Sequence, residues 1–286
     1  MRYTILLILF FSHIRAQDYL MIANQTSEER SGYYFSFNES TKICNWISYT
    51  LTSDDVKGSE IPLRVFHKDS ATFSCSNPSD YNRQGYARGM LKPRSAARAS
   101  VNEMKEVHNM LNVVPMNMTF SKGAWRILNN MIAGWAVVFD SVFVVTGPIF
   151  ENEDPQMIGE SKITVPDKFF KVVLVRNGLD LGAIGFILPN KNPDDNLQQY
   201  AMPVDSVEKI TGYDFFSELP EYLEAFTEET FKPSLWKDQS VSFKLKSSFF
   251  KKGQCVAAEK SDERCTSETS CITQNCWSHG CDIKIK

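Results

Sequence analysis

Histidine is scarce in this chain, four residues in 286. His13 lies in the leader described below, so only His67, His108 and His279 remain as imidazoles able to move protons near neutral pH. A basic excess is also lacking: 31 Lys+Arg face 34 Asp+Glu, a formal charge of −3. Sequence-independent affinity for polyphosphate rests on neutralising phosphates with Lys and Arg, so the chain is no general nucleic-acid glue, and any such contact has to be local. Long apolar runs are missing past residue 16. The longest candidate, Ile127 to Val145, is broken by Asn129, Asn130, Gly134 and Asp140. It falls short of the ~18 uninterrupted apolar residues a spanning helix needs, so no membrane span is expected. Internal repeats are absent, which excludes a solenoid.

Residues 1–16 carry Arg2, the apolar run Ile5 to Phe11 and a small-residue exit at Ala16 before Gln17. This is the layout of a cleaved secretory signal peptide, and the expectation is an exported, extracellular protein. Losing Arg2 and Arg15 leaves 29 basic residues against 34 acidic ones, a charge of −5. Seven cysteines follow: Cys44 and Cys75 in the body, and Cys255, Cys265, Cys271, Cys276 and Cys281 in the tail. On an oxidising export route they are read as disulfide partners, with the pairing open and one odd thiol left free or shared with another chain. Cys276-Trp277-Ser278-His279-Gly280-Cys281 lacks the Cys-x-x-Cys spacing of a zinc site. Sequons at Asn24, Asn38 and Asn117 are glycosylation candidates.

The alternation from Tyr33 to Phe37 predicts an early strand, and Ile61 to Phe66 and Ala71 to Ser76 two more flanking a turn. From Ser95 to Leu111 the spacing of Ala97, Val101, Met104, Val107, Met110 and Leu111 could form a helical face, and the segment is left ambiguous. The clearest helix begins at Ser121 and aligns Trp125, Leu128, Ile132, Trp135 and Phe139 on one face. Val142 to Val145 reads as a buried strand. Phe170 to Arg176 and Ala183 to Leu188 flank Asn177-Gly178, a hairpin signal because both turn residues tolerate positive φ. A later helix runs from Val204 to Ile210 and stops at Gly212. The sum is a mixed α+β domain over residues 17–236, with a central antiparallel sheet flanked by helices. Beyond a boundary near Lys237, residues 237–286 form a Lys/Phe-rich and cysteine-rich appendage.

Gly85-Tyr86-Ala87-Arg88-Gly89-Met90-Leu91-Lys92-Pro93 resembles the signature Gly-Tyr-Asp-Arg-Gly-His-Leu-x-Pro of the DNA/RNA non-specific endonucleases, which have a ββα-metal nuclease fold. Four further segments are similar to that family in the same order: Val142 to Phe150, Val165 to Lys171, Phe186 to Asn190 and Asp205 to Phe216. Asn112, Pro115, Gly123 and Trp125 match the second half of its active-site pattern. The resemblance implies a nuclease fold with Mg²⁺ held through one Asn carbonyl and with carboxylates ordering the ion's waters. Against that pattern Ala87 replaces the Asp, Met90 the proton-accepting His, Met116 a Gln, Ser121 the metal-binding Asn and Asn129 the Glu.

A thioether has no titratable group near neutral pH, so Met90 cannot take a proton from water. Ser121 is a shorter, weaker metal ligand, and Ser at a helix start is also a preferred N-cap. No metal is therefore expected, with Mg²⁺ the cofactor if residual activity exists. His108 sits where the pattern has a buried aromatic and reads as a packed or surface imidazole. Arg88 matches the family's phosphate-contacting arginine, and Lys92, Arg94, Arg98, Lys122 and Arg126 lie in segments lining the cleft. The leading expectation is a secreted pseudonuclease that binds DNA or RNA without efficient cleavage. A protein-interaction module on the same scaffold and a weak metal-dependent endonuclease stand as alternatives. Oligomeric state is not legible.

Overall fold

The computed structural model describes residues 22, 25–60, 63, 65–72, 74–139, 141–177, 180–194, 196–229 and 236. The leader, Asn24, the five tail cysteines, His279 and the boundary near Lys237 lie outside these residues.

Seven strands form one antiparallel sheet. In chain order they are β1 (Glu28–Arg30), β2 (Tyr33–Asn38), β3 (Ile43–Thr52), β6 (Ser141–Ile149), β9 (Lys168–Asn177), β10 (Asp180–Pro189) and β11 (Ala201–Met202), and their chain order is also their spatial order. Such meander pairing needs few long crossovers, which suits an antiparallel sheet. A separate ribbon pairs β4 (Tyr86–Met90) with β5 (Val113–Asn117), and a small one pairs β7 (Met157–Ile158) with β8 (Ile163–Thr164). The helices are α1 (Ser53–Lys57), α2 (Val101–Glu106), α3 (Met118–Lys122), α4 (Ala124–Val138), α5 (Val204–Thr211) and α6 (Glu221–Glu229).

The central strands are apolar on both faces because both are covered. Successive side chains of a strand point to opposite faces. Accordingly Val142 and Val144 of β6, with Val173 and Val175 of β9, join one core with Leu128, Ile132 and Trp135 of α4. Their neighbours Phe143, Val145, Val172 and Leu174 join a second core with Val204 and Val207 of α5 and with Phe215 and Leu219. The sheet thus separates the helix carrying the nuclease-like motif from α5. Burying each of these large apolar side chains stabilises the fold by ~1.5–3 kcal/mol.

The expected hairpin is present as β9 and β10, paired from Lys168↔Pro189 to Asn177↔Asp180. The late helix also ends as expected: Gly212 has φ +72°, a left-handed conformation that glycine adopts without Cβ strain, and its N–H donates to Glu208 O. Three expectations fail. The described residues of 61–76 form no strand, because Asp69 Oδ1 accepts the amides of Ala71 (3.0 Å) and Thr72 (2.7 Å) and Cys75 N–H bonds back to Thr72 O. This turn chemistry competes with strand pairing. The main helix starts at Ala124 rather than Ser121, since Gly123 (φ −97°, ψ −115°) interrupts it. Finally, Cys44 and Cys75, read as disulfide partners, are free buried thiols, with Cys44 Sγ directed to Leu111 O at 3.2 Å. The ambiguous stretch 95–111 holds the short helix α2 and leads into β5.

Candidate nuclease cleft

The β4–β5 ribbon carries the first half of the motif, and two asparagines fasten it. Buried Asn112 accepts Lys92 N–H at 2.7 Å and donates Nδ2 to Lys92 O and Val107 O, both at 2.8 Å. Asn190, just beyond β10, accepts Asn117 N–H at 2.8 Å and donates to Pro115 O (3.1 Å) and Pro166 O (2.8 Å). Both asparagines are thus ties between distant segments. Gly89 has a steric role: a Cβ there would lie 2.2 Å from Met116 Cγ, so only glycine allows the strands to sit with Met116 fully buried.

Helices α3 and α4 supply the other wall. The N-cap of α3 is Asn117, whose Oδ1 accepts the amides of Thr119 (2.9 Å) and Phe120 (3.2 Å). The expected capping role of Ser121 is therefore wrong: it lies near the end of α3, half-buried, because the chain has already entered the helix at Met118. Phe120, Trp125 and Phe169 cluster with ring centroids 5.6–5.8 Å apart and fix both helices on β9. The indole Nε1–H of Trp125 donates to Met90 O at 3.0 Å and so holds α4 against the end of β4.

Ala87 and Met90 are both half-buried on β4. Asn129 is buried one turn beyond Trp125, where its Oδ1 accepts from Lys171 Nζ at 2.9 Å. That ammonium lies 4.3 Å from the Trp125 ring centroid and 3.4 Å from Leu91 O. No solvent reaches the Lys171 side chain, and burial pulls its pKa down to about 7. The family's Mg²⁺ would have to find oxygen donors here. Ala87 and Met90 offer none, Asn129 has given its carbonyl to Lys171, and Ser121 offers a single short hydroxyl. This set does not fit a hydrated Mg²⁺.

The six basic candidates separate. Arg88 is turned inward: Nε and Nη2 donate to Pro78 O (3.1 and 2.7 Å), Nη2 also reaches Asn82 Oδ1 (2.8 Å), and the guanidinium faces the Phe66 ring at 5.7 Å. Lys92 does not line the cleft surface. It is fully buried, bonded to Glu103 Oε2 and Gly32 O at 2.7 Å each, so its expected phosphate contact is corrected to a structural ion pair. Its partners are far apart in sequence, which is why residue order concealed them. Arg94 and Lys122 are exposed; Arg98 and Arg126 are half-buried, with Arg126 Nε on Lys122 O at 2.7 Å. Of the packed and surface alternatives for His108 the packed one holds: it has no exposure, its Nδ1 lies 2.8 Å from Met104 O and its ring rests against Phe66. Burial lowers its pKa. Among the sequons, Asn38 donates Nδ2 to Asn45 Oδ1 at 2.9 Å, and Asn117 spends its carbonyl on the α3 cap.

Sequence reading missed a second polar constellation. Asp205 and Glu208 of α5 and Glu228 of α6 bring carboxylate oxygens within 4.8 Å of one another, across the sheet from the cleft.

A β-ribbon leaning on a helix, beside an antiparallel sheet, defines a ββα-type nuclease scaffold. The chain matches the DNA/RNA non-specific endonuclease family over residues 17–222 and belongs to it. It is 29% identical to Nuclease C1 of Cunninghamella echinulata var. echinulata over 208 residues, covering 67% of this chain and 82% of that nuclease. It is 25% identical to mouse mitochondrial Nuclease EXOG over 219 residues, covering 69% of this chain and 59% of that longer protein. A chain of the solved EndoG/EndoGI complex superposes with a TM-score of 0.65 at 22% identity, covering 71% of this chain and 91% of that one, a likeness of fold. No helix among the described residues is long and apolar enough to cross a membrane.

Proposed function

We propose that this chain is a secreted pseudonuclease, a nuclease scaffold that contacts the phosphate backbone of DNA or RNA without cutting it efficiently. The observation that carries this reading is Met90 at the proton-acceptor position, its backbone fixed by Trp125 and its side chain unable to hold a proton. General-base assistance is worth about 10²–10⁴-fold. Ala87 removes a carboxylate from the same strand, and Asn129 is tied to Lys171, so the groups that would order a metal's waters are lost together. In catalytically competent relatives a bound Mg²⁺ would stabilise charge on the phosphoryl oxygens. The N-terminal leader, the sequons and the cysteine-rich tail support export.

Residual phosphate contact is assigned to Arg94 and Lys122, which are exposed at the ends of the motif segments. A protein-interaction role is the second reading. It is favoured by Lys92, which is buried and paired with Glu103, and by Arg88, whose donors are already engaged by Pro78 O and Asn82 Oδ1. A gel shift with a short duplex and an RNA at two salt concentrations decides between them. Affinity that falls steeply with salt supports nucleic-acid binding, and no shift at low salt supports a protein partner. Incubation of the same protein with plasmid and RNA in Mg²⁺ or Mn²⁺, with EDTA as control, tests the pseudonuclease reading itself. Rapid EDTA-sensitive cutting by material free of contaminating nuclease would refute it.

A further inference from the structure

We propose that Asp205, Glu208 and Glu228 form a divalent-cation site that takes Ca²⁺ and bridges α5 to α6, on the face of the sheet opposite the nuclease cleft. Asp205 and Glu208 are three residues apart on α5 and so share one helix face. Glu228 reaches them from α6, and the three contribute carboxylate oxygens within 4.8 Å of one another. They line a cleft of about 310 Å³ together with Lys209, Glu221, Glu224 and Ala225.

An acidic cluster alone is ordinary surface. What marks this one is Glu228: only 4% of it is exposed, and its Oε1 is buried without a hydrogen-bond partner. A buried carboxylate oxygen left unpaired is costly and is normally satisfied by a donor or a cation. No described residue neutralises it. Among the described residues Lys209 is the one basic side chain lining the cleft, and no ion pair joins it to these carboxylates. Glu208 is meanwhile held in place by Phe215 N–H, which donates to its Oε1 at 2.7 Å. The cluster thus combines a fixed carboxylate, a half-exposed one and a buried one with an open oxygen.

The donor set selects the ion. All ligands are hard anionic oxygens with no imidazole or thiolate, which disfavours zinc and copper. Three carboxylates from the protein suit Ca²⁺, which takes about 6–8 oxygens in flexible geometry. Mg²⁺ keeps most of its waters and is usually content with one or two carboxylates.

The test is calorimetric titration of CaCl₂ into the EDTA-treated, dialysed full-length protein, with thermal unfolding run in parallel. The expected result is one saturable equivalent of Ca²⁺, weaker binding of Mg²⁺ and a raised unfolding midpoint. Glu228→Gln keeps the shape of the protonated carboxyl and should weaken Ca²⁺ binding at least about ten-fold, since even lesser perturbations around metal ligands cost about 10–100-fold. Should that variant not fold, Asp205→Asn, at a half-buried position, is expected to give the same loss. No saturable Ca²⁺ binding up to millimolar concentration, Mg²⁺ binding as tight as Ca²⁺, or wild-type affinity in the folded variants would each overturn the site.

Discussion

Replacing Asn129 with glutamate tests the centre of the cleft through stability rather than activity. Lys171 is buried beside Trp125 and Asn129 with no carboxylate partner among the described residues, and burial pulls its pKa from 10.5 to about 7. A depressed lysine binds its proton less readily in the folded than in the unfolded chain, so this group's contribution to stability rises with pH from about 7 to 10.5. Below that window the full penalty applies, about 5 kcal/mol for a shift of this size. The Asn129→Glu variant would place a carboxylate on the ammonium, raise the lysine's proton affinity and remove most of that slope. Urea melts of both proteins at pH 7, 8, 9 and 10 give the measurement. Buried Tyr49 and the Cys44 thiol, both pushed up by burial, add an alkaline pH dependence of their own, but they are common to both proteins and cancel in the difference. The variant-minus-wild-type stability should shrink as pH rises, by up to about 1.4 kcal/mol per pH unit. Parallel curves would refute the placement of a proton-poor lysine in the core of the cleft.

Lys92→Ala should cost about 1–3 kcal/mol by leaving Gly32 O unpaired and half-buried Glu103 without its partner; equilibrium unfolding checks it. Lys122→Ala, at an exposed position, should instead leave stability within about 0.5 kcal/mol and reduce the salt dependence of any nucleic-acid shift. Gly89→Ala should destabilise by about 1–3 kcal/mol through collision with Met116, read as a lower denaturant midpoint. At the acid end, burial alone would raise the Asp69 pKa. The Arg30 guanidinium, the Asn109 amide and Thr72 N–H overcome this and hold it well below the usual carboxylate range. Its stabilisation is present above the ordinary carboxylate pKa and is lost as pH falls below it, so Asp69→Asn should flatten the acid limb of the stability curve.

Local signals carried much of the fold. The β9–β10 hairpin was legible because Asn177-Gly178 separates two apolar runs, and Gly212 announced the end of α5. β3 was not legible. It is covered on both faces, so Cys44, Trp46, Ile47 and Tyr49 interleave with Asn45 and Ser48 without the alternation of a half-exposed strand. The strands expected over 61–76 failed because the Asp69 side chain outcompetes strand pairing for nearby amides. In the cleft, residue identity revealed the missing imidazole at position 90 but not where long side chains go. Lys92 and Arg88 find Glu103, Gly32 and Pro78, contacts set by tertiary packing. The α5–α6 carboxylates escaped notice because twenty residues separate Glu208 from Glu228, and only the turn through Phe215 brings them together.

Loss of the proton acceptor at position 90, with its supporting groups, is the proposed reason that the scaffold does not cut. The most direct measurement is the initial rate of supercoiled-plasmid nicking in Mg²⁺ by the wild-type chain and by the combined Ala87→Asp, Met90→His, Ser121→Asn, Asn129→Glu variant. The account predicts no EDTA-sensitive nicking by the wild type and a gain of at least about 10²-fold in the folded variant. Equal rates, whether both fast or both absent with the variant well folded, would contradict it.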